Sequence, residues 1–224
     1  MILILGRGIT GDSVANYCEK TNIDYSFNEK DNYDLVVKSP GIKYSNKIVV
    51  AALNKGIEVI SDIELAYRLN KAYYIAVTGT NGKTTVVSLL KHIFISNGID
   101  CEAVGNIGNP IFNNMDKKLL IVELSSFQLL GTKRFKPDIA LITNISRAHM
   151  DYHNSYEEYI EANHKIHMNM DKEPFFTNHK TNVIYNHYTE IQLELESNLI
   201  GSHHQENMVA AFIISPTYVL DNLK

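Results

Sequence analysis

The stretch 73-YYIAVTGTNGKTTVVSLLKHIFI-95 decides how this chain folds. Residues 73–77 form a short apolar run of aromatic and β-branched side chains, which predicts a buried strand. A turn follows through Thr78, Gly79, Thr80, Asn81 and Gly82, after which apolar residues recur at 86, 89, 90, 93 and 94. That spacing marks one face of a helix, and Asn97-Gly98 supplies its stop. Strand, glycine turn, Lys, Thr and helix together make a cradle for a polyphosphate. The glycines let backbone N–H groups crowd against phosphate oxygens, and the helix N-terminus adds its partial positive charge. Lys83 can reach the β- and γ-phosphates, and the Thr84 hydroxyl can ligate Mg²⁺. The usual phosphate loop has a further glycine where Val77 stands, so TGTNGKTT (78–85) is a variant.

Composition narrows the classes around this loop. With 224 residues the chain can bury a sizeable core and hold one or two domains. A hydrophobic share of 45% against 21% charged residues is the balance of a soluble globular protein. The formal net charge of −4 argues against a nucleic-acid surface. Two cysteines, Cys18 and Cys101, do not make a disulfide framework, which fits a reducing compartment. No apolar segment is long enough to span a bilayer, and MILIL lacks the basic flank of a signal peptide, so a cytoplasmic location is expected.

Toward the N-terminus, residues 1–5 read as a strand, followed by GRGITG (6–11) with G-x-G-x-x-G spacing and a helix over about 12–20. A second strand is predicted over 23–27, with Asn28, Glu29 and Lys30 at its end, where a Rossmann unit presents a ribose-binding acid. A nicotinamide site is therefore the rival reading. Only one small βαβ-like unit fits before residue 73, which favours a mononucleotide half-site. A strand over 35–38 leads into Ser39-Pro40-Gly41-Ile42, where Pro40 fixes φ and Gly41 permits a tight turn, and the same four residues also read as a plain turn. A helix over 47–55, a strand over 58–60 and a helix capped by Ser61 or Asp62 follow, with a linker at 69–71.

Beyond the loop's helix come a strand near 101–104, the loop GNIGNP (105–110) and LLIVEL (119–124). In a buried parallel sheet Glu123 would lie at the carboxyl edge beside the phosphate loop, where Mg²⁺ needs hard oxygen ligands; an edge or salt-bridged Glu is the alternative. A strand over 138–145 is followed by His149, either a surface histidine or a ligand contact. A helix is predicted over 156–168. Residues 171–197 are polar with short β-like runs and no legible motif, and 207–212 continue as a helix broken at Ser215-Pro216.

Taken together, GRGITG (6–11), SPGI (39–42), SDIEL (61–65), TGTNGKTT (78–85), GNIGNP (105–110), ELSSFQL (123–129), the TNIS and HMD pieces of 143–151 and GSHHQEN (201–207) resemble the Mur ligases, within them the D-glutamate-adding branch. The resemblance implies an α/β fold, with a small Rossmann-like N-terminal domain (1–70) binding the UDP part of a substrate. A P-loop-type ATPase domain (71–214) with a mostly parallel central sheet would follow, shortened between about 170 and 199. It implies ATP and Mg²⁺ as cofactors, UDP-N-acetylmuramoyl-L-alanine and D-glutamate as substrates, and other cell-wall enzymes as partners. Residues 215–224 would be a tail, the amino-acid-binding C-terminal domain being absent. Ile9, Thr10, Ser39 and Gly41 would line the UDP site, with 28–30 on the uracil side. Gly79, Thr80, Asn81, Gly82, Lys83, Thr84 and Thr85 would hold ATP, with His204 and Asn207 near the adenine. Thr84, Glu123 and His149 would ligate metal, Lys83, Glu123 and His149 would be the catalytic set, and Asn106 and Ser125 would face the muramoyl group. The family's metal-bridging lysine falls at Asn163, with Lys165 two residues on. Two functions stay open: an ATP-dependent ligase inactive by itself, and a non-catalytic module binding nucleotide or UDP-sugar.

Overall fold

In the computed structural model the described residues are 1–171, 175–177 and 202–215. The first sheet is built from β1 (Ile2–Leu5), β2 (Tyr25–Ser26), β3 (Leu35–Lys38) and β4 (Glu58–Ser61), all parallel, in the order β2-β1-β3-β4. Helices α1 (Ile9–Thr21), α2 (Lys47–Asn54) and α3 (Asp62–Leu69) connect or follow these strands. The second sheet holds β5 (Tyr73–Thr78), β6 (Glu102–Gly105), β7 (Leu119–Glu123), β8 (Ile139–Ile142) and β9 (Phe175–Thr177), again all parallel, in the order β6-β7-β5-β8-β9. Its helices are α4 (Lys83–Ser96), α5 (Ser126–Leu129), α6 (Tyr156–His164) and α7 (Ser202–Ile214).

Side-chain alternation explains how the layers stack, because successive residues of a strand face opposite sides. Tyr74 and Ala76 of β5 join one core with Ile2 and Ile4 of β1, while Ile75 and Val77 face a second core with Val86 and Leu90 of α4 and Ala210 of α7. Leu3 and Val36 pack on Val49 and Ala52 of α2. The two sheets therefore share one hydrophobic layer, and β5 is buried on both faces, as its unbroken apolar run predicts. Among the described residues no helix is long and apolar enough to cross a membrane.

Several predicted boundaries move. Helix α1 starts at Ile9 rather than near residue 12, because Gly8 serves as its N-cap and Asp12 N–H already bonds the Gly8 carbonyl. Gly11 thus lies inside the helix. A Cβ there would stand 2.0 Å from the Gly6 carbonyl oxygen, so only glycine lets this helix approach its strand. The strand predicted over 23–27 shrinks to an edge pair, since Ile23 N–H bonds Cys18 O at the end of α1 instead of joining the sheet. Gly41 lies outside the left-handed region and a Cβ there would meet nothing, so the 39–42 turn does not require it. The strand predicted over 138–145 ends at Ile142, because residues 143–146 bond to the phosphate loop. The helix predicted over 156–168 tightens into a 3-10 turn at Lys165–His167. Strand β9 lies in the stretch that carried no legible motif.

Candidate functional site

The site is built where β5, β7 and β8 end side by side. Register pairs Val77 with Glu123 and Thr78 with Ile142, so the carboxyl ends of three adjacent strands open onto the 79–82 loop. In an open parallel sheet this is where ligands bind.

Strand β8 clamps the loop. Thr80 N–H bonds Asn144 O (2.8 Å), Asn81 N–H bonds Asn144 Oδ1 (3.1 Å), and the Asn81 carbonyl accepts from Thr143 Oγ1 (2.6 Å) and Asn144 Nδ2 (2.9 Å). Thr80 Oγ1 donates to Ser146 O (3.1 Å), accepts from Ser146 N–H (2.9 Å) and lies 3.0 Å from the Tyr159 hydroxyl. These bonds hold the turn without help from a ligand. Gly82, at φ +84, caps α4, and a Cβ there would meet Asn207 Oδ1 at 2.3 Å. Buried Asn207 on α7 thus packs directly on the loop. His204 lies in α7, and its side chain is outside the described residues.

Lys83 bends back over the turn, donating to the carbonyls of Gly79 (2.7 Å) and Thr80 (3.0 Å). Burial pushes its ammonium below the usual lysine range, and the Glu123 charge opposes that fall. One residue on, Thr84 Oγ1 donates to Glu123 Oε2 (2.8 Å), while Asn106 Nδ2 donates to Glu123 Oε1 (3.0 Å). Glu123 is nearly fully buried at the end of β7, so both its oxygens are aimed by partners. Asn106, read as a substrate contact, is a Glu123 partner here. Thr85 stands half-buried in the first turn of α4.

Hard oxygens beside a phosphate loop fit Mg²⁺, which takes one or two protein oxygens and completes its shell with phosphates and water. Thr84 and Glu123 meet that description. Among the described residues no three His, Cys, Asp or Glu side chains gather as a metal site. His149 is exposed at φ +56, with its ring against Phe127 (5.1 Å) and Tyr159 (6.0 Å).

Asn163 is fully buried. Its Oδ1 accepts from Thr78 Oγ1 (2.9 Å) and its Nδ2 donates to Tyr159 O (2.8 Å). Lys165 starts the 3-10 turn beyond α6 and does not take its place.

The N-terminal turns converge as well. A Cβ on Gly6 would lie 2.7 Å from Ser39 Oγ, so the 6–11 and 39–42 turns touch, and Ser39 N–H bonds Leu5 O. Ile9, 71% exposed, and half-buried Thr10 open α1 beside them. The 28–30 segment is a tight turn held by Asn28 Oδ1 accepting from Lys30 N–H. Ser125 caps α5 in a reciprocal pair with Gln128.

Thr143, Asn144 and Tyr159 were not read from sequence as loop partners, and Asn163 was read for another role. The one available signal was the polar TN pair closing an apolar run, as Thr78 closes β5.

Known proteins resemble this chain in sequence and in fold. The family model described as "Mur ligase middle domain" matches residues 77–191. A UDP-N-acetylmuramoylalanine–D-glutamate ligase of Streptococcus mutans serotype c is 46% identical over 144 residues, covering 62% of this chain and 32% of the relative. The Lactobacillus gasseri protein of the same name is 37% identical over 215 residues, covering 78% and 47%. The chain thus spans between a third and a half of the length of these relatives. Among solved structures, UDP-N-acetylmuramate:L-alanyl-gamma-D-glutamyl-meso-diaminopimelate ligase from Neisseria meningitides superposes with a TM-score of 0.55 at 16% identity, covering 81% of this chain and 72% of that one, a likeness of fold.

Proposed function

Because the chain belongs to the Mur ligase family, we propose that it is the nucleotide- and UDP-substrate-binding part of a ligase that adds D-glutamate to UDP-N-acetylmuramoyl-L-alanine. Residues 1–70 would take the UDP moiety and 71–214 ATP. The observation that carries this reading is the Thr84–Glu123 pair at the mouth of a clamped glycine loop. In such a reaction ATP phosphorylates the substrate carboxylate and leaves as ADP, and the amine then attacks the acyl carbon and displaces inorganic phosphate. Bound Mg²⁺ would neutralise charge on the transferring phosphoryl group, with Thr84 and Glu123 as its protein oxygens.

The chain's own residues supply position and charge. Loop N–H groups and the N-terminus of α4 face the phosphates. Lys83, resting on two carbonyls, exchanges those neutral acceptors for a full negative charge when a phosphate arrives. Ser125 and the 39–42 turn, on opposite sides of the seam between the sheets, would hold the sugar-linked substrate across it.

Asn163 favours a second reading, a module that binds without ligating. A buried neutral amide cannot supply the anionic oxygen that a second hard cation needs, and its hydrogen bonds are already committed. Calorimetry with MgATP, UDP-N-acetylmuramoyl-L-alanine and NAD⁺ tests the site, and phosphate release with and without D-glutamate separates the readings. We expect Mg²⁺-dependent ATP binding, a preference for the UDP-sugar over NAD⁺, and little D-glutamyl product. Tighter binding of NAD⁺, or no Mg²⁺-dependent ATP binding, overturns the proposal. Efficient product formation removes the module reading.

A further inference from the structure

Along the seam between the two sheets runs a buried polar chain that neither phosphate loop nor substrate turn accounts for. It starts at Lys38, at the end of β3, whose Nζ donates to Ile42 O (3.0 Å) and lies over the Tyr44 ring (4.9 Å). The next charge is Asp62, the first residue of α3, buried like Lys38. Burial raises the Asp62 carboxyl to about 6, against the bonds it accepts and the Lys38 charge. Burial also lowers Lys38 to about 8, and Asp62 opposes that shift. Both Asp62 oxygens accept from Gln128 Nε2 (3.4 Å) across the seam. The other end of that amide, Gln128 Oε1, accepts from Ser125 N–H (3.2 Å) and from Ser125 Oγ (3.1 Å).

The chemistry of these groups fixes a direction. A carboxylate only accepts and the Ser125 N–H only donates, so the Gln128 amide turns its NH₂ toward Asp62 and its carbonyl toward Ser125, each end enforcing the same direction. The Ser125 hydroxyl hydrogen is then committed to Gln128 Oε1, and one Oγ lone pair takes Gln128 N–H (3.3 Å). What Ser125 can offer a ligand is its remaining lone pair. It is an acceptor.

We propose that Asp62, acting through Gln128, is a positioning residue that sets the polarity of Ser125, so that this serine selects a hydrogen-bond donor, an amide N–H or hydroxyl, on the substrate. The substrate's identity rests on the function proposed above; the polarity of Ser125 does not. In Asp62→Asn the new amide can present either end to Gln128, which leaves the Ser125 N–H to hold the direction without the charge.

The experiment has two arms, on the full chain and on Asp62→Asn, Asp62→Leu, Ser125→Ala and the Asp62→Leu/Ser125→Ala double variant. In ligand-free protein, amide exchange followed by NMR at Ser125 should rise at least tenfold in Asp62→Leu, with α4 amides unchanged and Asp62→Asn in between. In calorimetry, Asp62→Leu and Ser125→Ala should each weaken UDP-N-acetylmuramoyl-L-alanine about tenfold or more. The double variant should be no weaker than the worse single, and MgATP affinity should stay within about twofold. Unchanged exchange at Ser125 in Asp62→Leu overturns the inference, as does parent-like UDP-sugar affinity with only a lowered melting temperature. If the parent fails to bind the UDP-sugar while exchange at Ser125 responds as described, the substrate assignment falls and the positioning role stands.

Discussion

Replacing Glu64 with Gln should destabilise the whole molecule by about 3–5 kcal/mol, the range for breaking a buried ion pair from one side. Glu64 is fully buried on α3, yet its partners come mainly from the segment before β8. Oε2 accepts from the backbone N–H groups of Lys133 (2.8 Å), Arg134 (3.0 Å) and Phe135 (3.0 Å), and Oε1 accepts from Arg134 N–H (3.0 Å) and Arg68 Nε (2.8 Å). An amide keeps one acceptor oxygen and turns an NH₂ toward N–H groups that can only donate. With that oxygen in the Oε2 place the three backbone donors keep a partner but the NH₂ faces Arg68 Nε, which loses its charged acceptor; with it in the Oε1 place the Lys133 and Phe135 N–H groups lose theirs, each costing about 1–3 kcal/mol. In a domain of this size about 1 kcal/mol moves the melting temperature by roughly 2–4 °C, so a fall on the order of 10 °C is expected. Urea denaturation should give the same loss, and hydrogen exchange at 133–135 should accelerate selectively. Glu58→Gln is the control: it lies at the solvent end of the same cluster, paired to Arg68 (2.7 Å), and should cost about 1 kcal/mol or less near neutral pH. If Glu64→Gln unfolds within about 1 kcal/mol of the parent, the carboxylate does not hold the two sheets together and the reasoning fails.

Glu123→Gln should weaken MgATP about tenfold or more while leaving Mg²⁺-free ATP nearly unchanged, because it removes an anionic oxygen and spares the loop; equal losses in both titrations would contradict the Mg²⁺ assignment. Gly82→Ala should cost about 1–2 kcal/mol in unfolding experiments and displace Asn207, since L side chains resist a φ of +84 and the new Cβ meets Asn207 Oδ1; parent-like stability would argue against that contact. Arg68 holds the Glu58 carboxyl at about 2, below its ordinary 4.5, so the folded state binds fewer protons there than the unfolded chain. That contribution is complete above pH about 4.5 and is lost as pH falls toward 2. Glu58→Gln should flatten the stability profile in that window, and an unchanged acid slope would refute the pairing.

Much of this was legible in residue order. The run 73–77, the glycine turn and the helical spacing after it fix strand, loop and helix by local rules, and Lys83 and Thr84 follow from position within that unit. Glu123 was readable because an apolar run that ends in a carboxylate has few other places to lie in a parallel sheet. The same local grammar offered Ser61 or Asp62 as the cap of α3, and the structure settles on Ser61, whose Oγ accepts from Glu64 N–H. Sequence could not show what depends on strand order. Thr143 and Asn144 clamp the loop only because β8 lies beside β5, a neighbour relation that skips more than sixty residues. Asp62 read as a possible helix cap and Glu64 only as part of the SDIEL stretch, and the packing of α3 against the 128–135 segment is what shows both as buried acids crossing the seam. Asn163 stood out through the resemblance, but its commitment to Thr78 is a product of how α6 returns over the end of β5. Local hydrogen bonding and side-chain period set the elements, while partners far apart in the chain are chosen by burial, which a linear pattern does not carry.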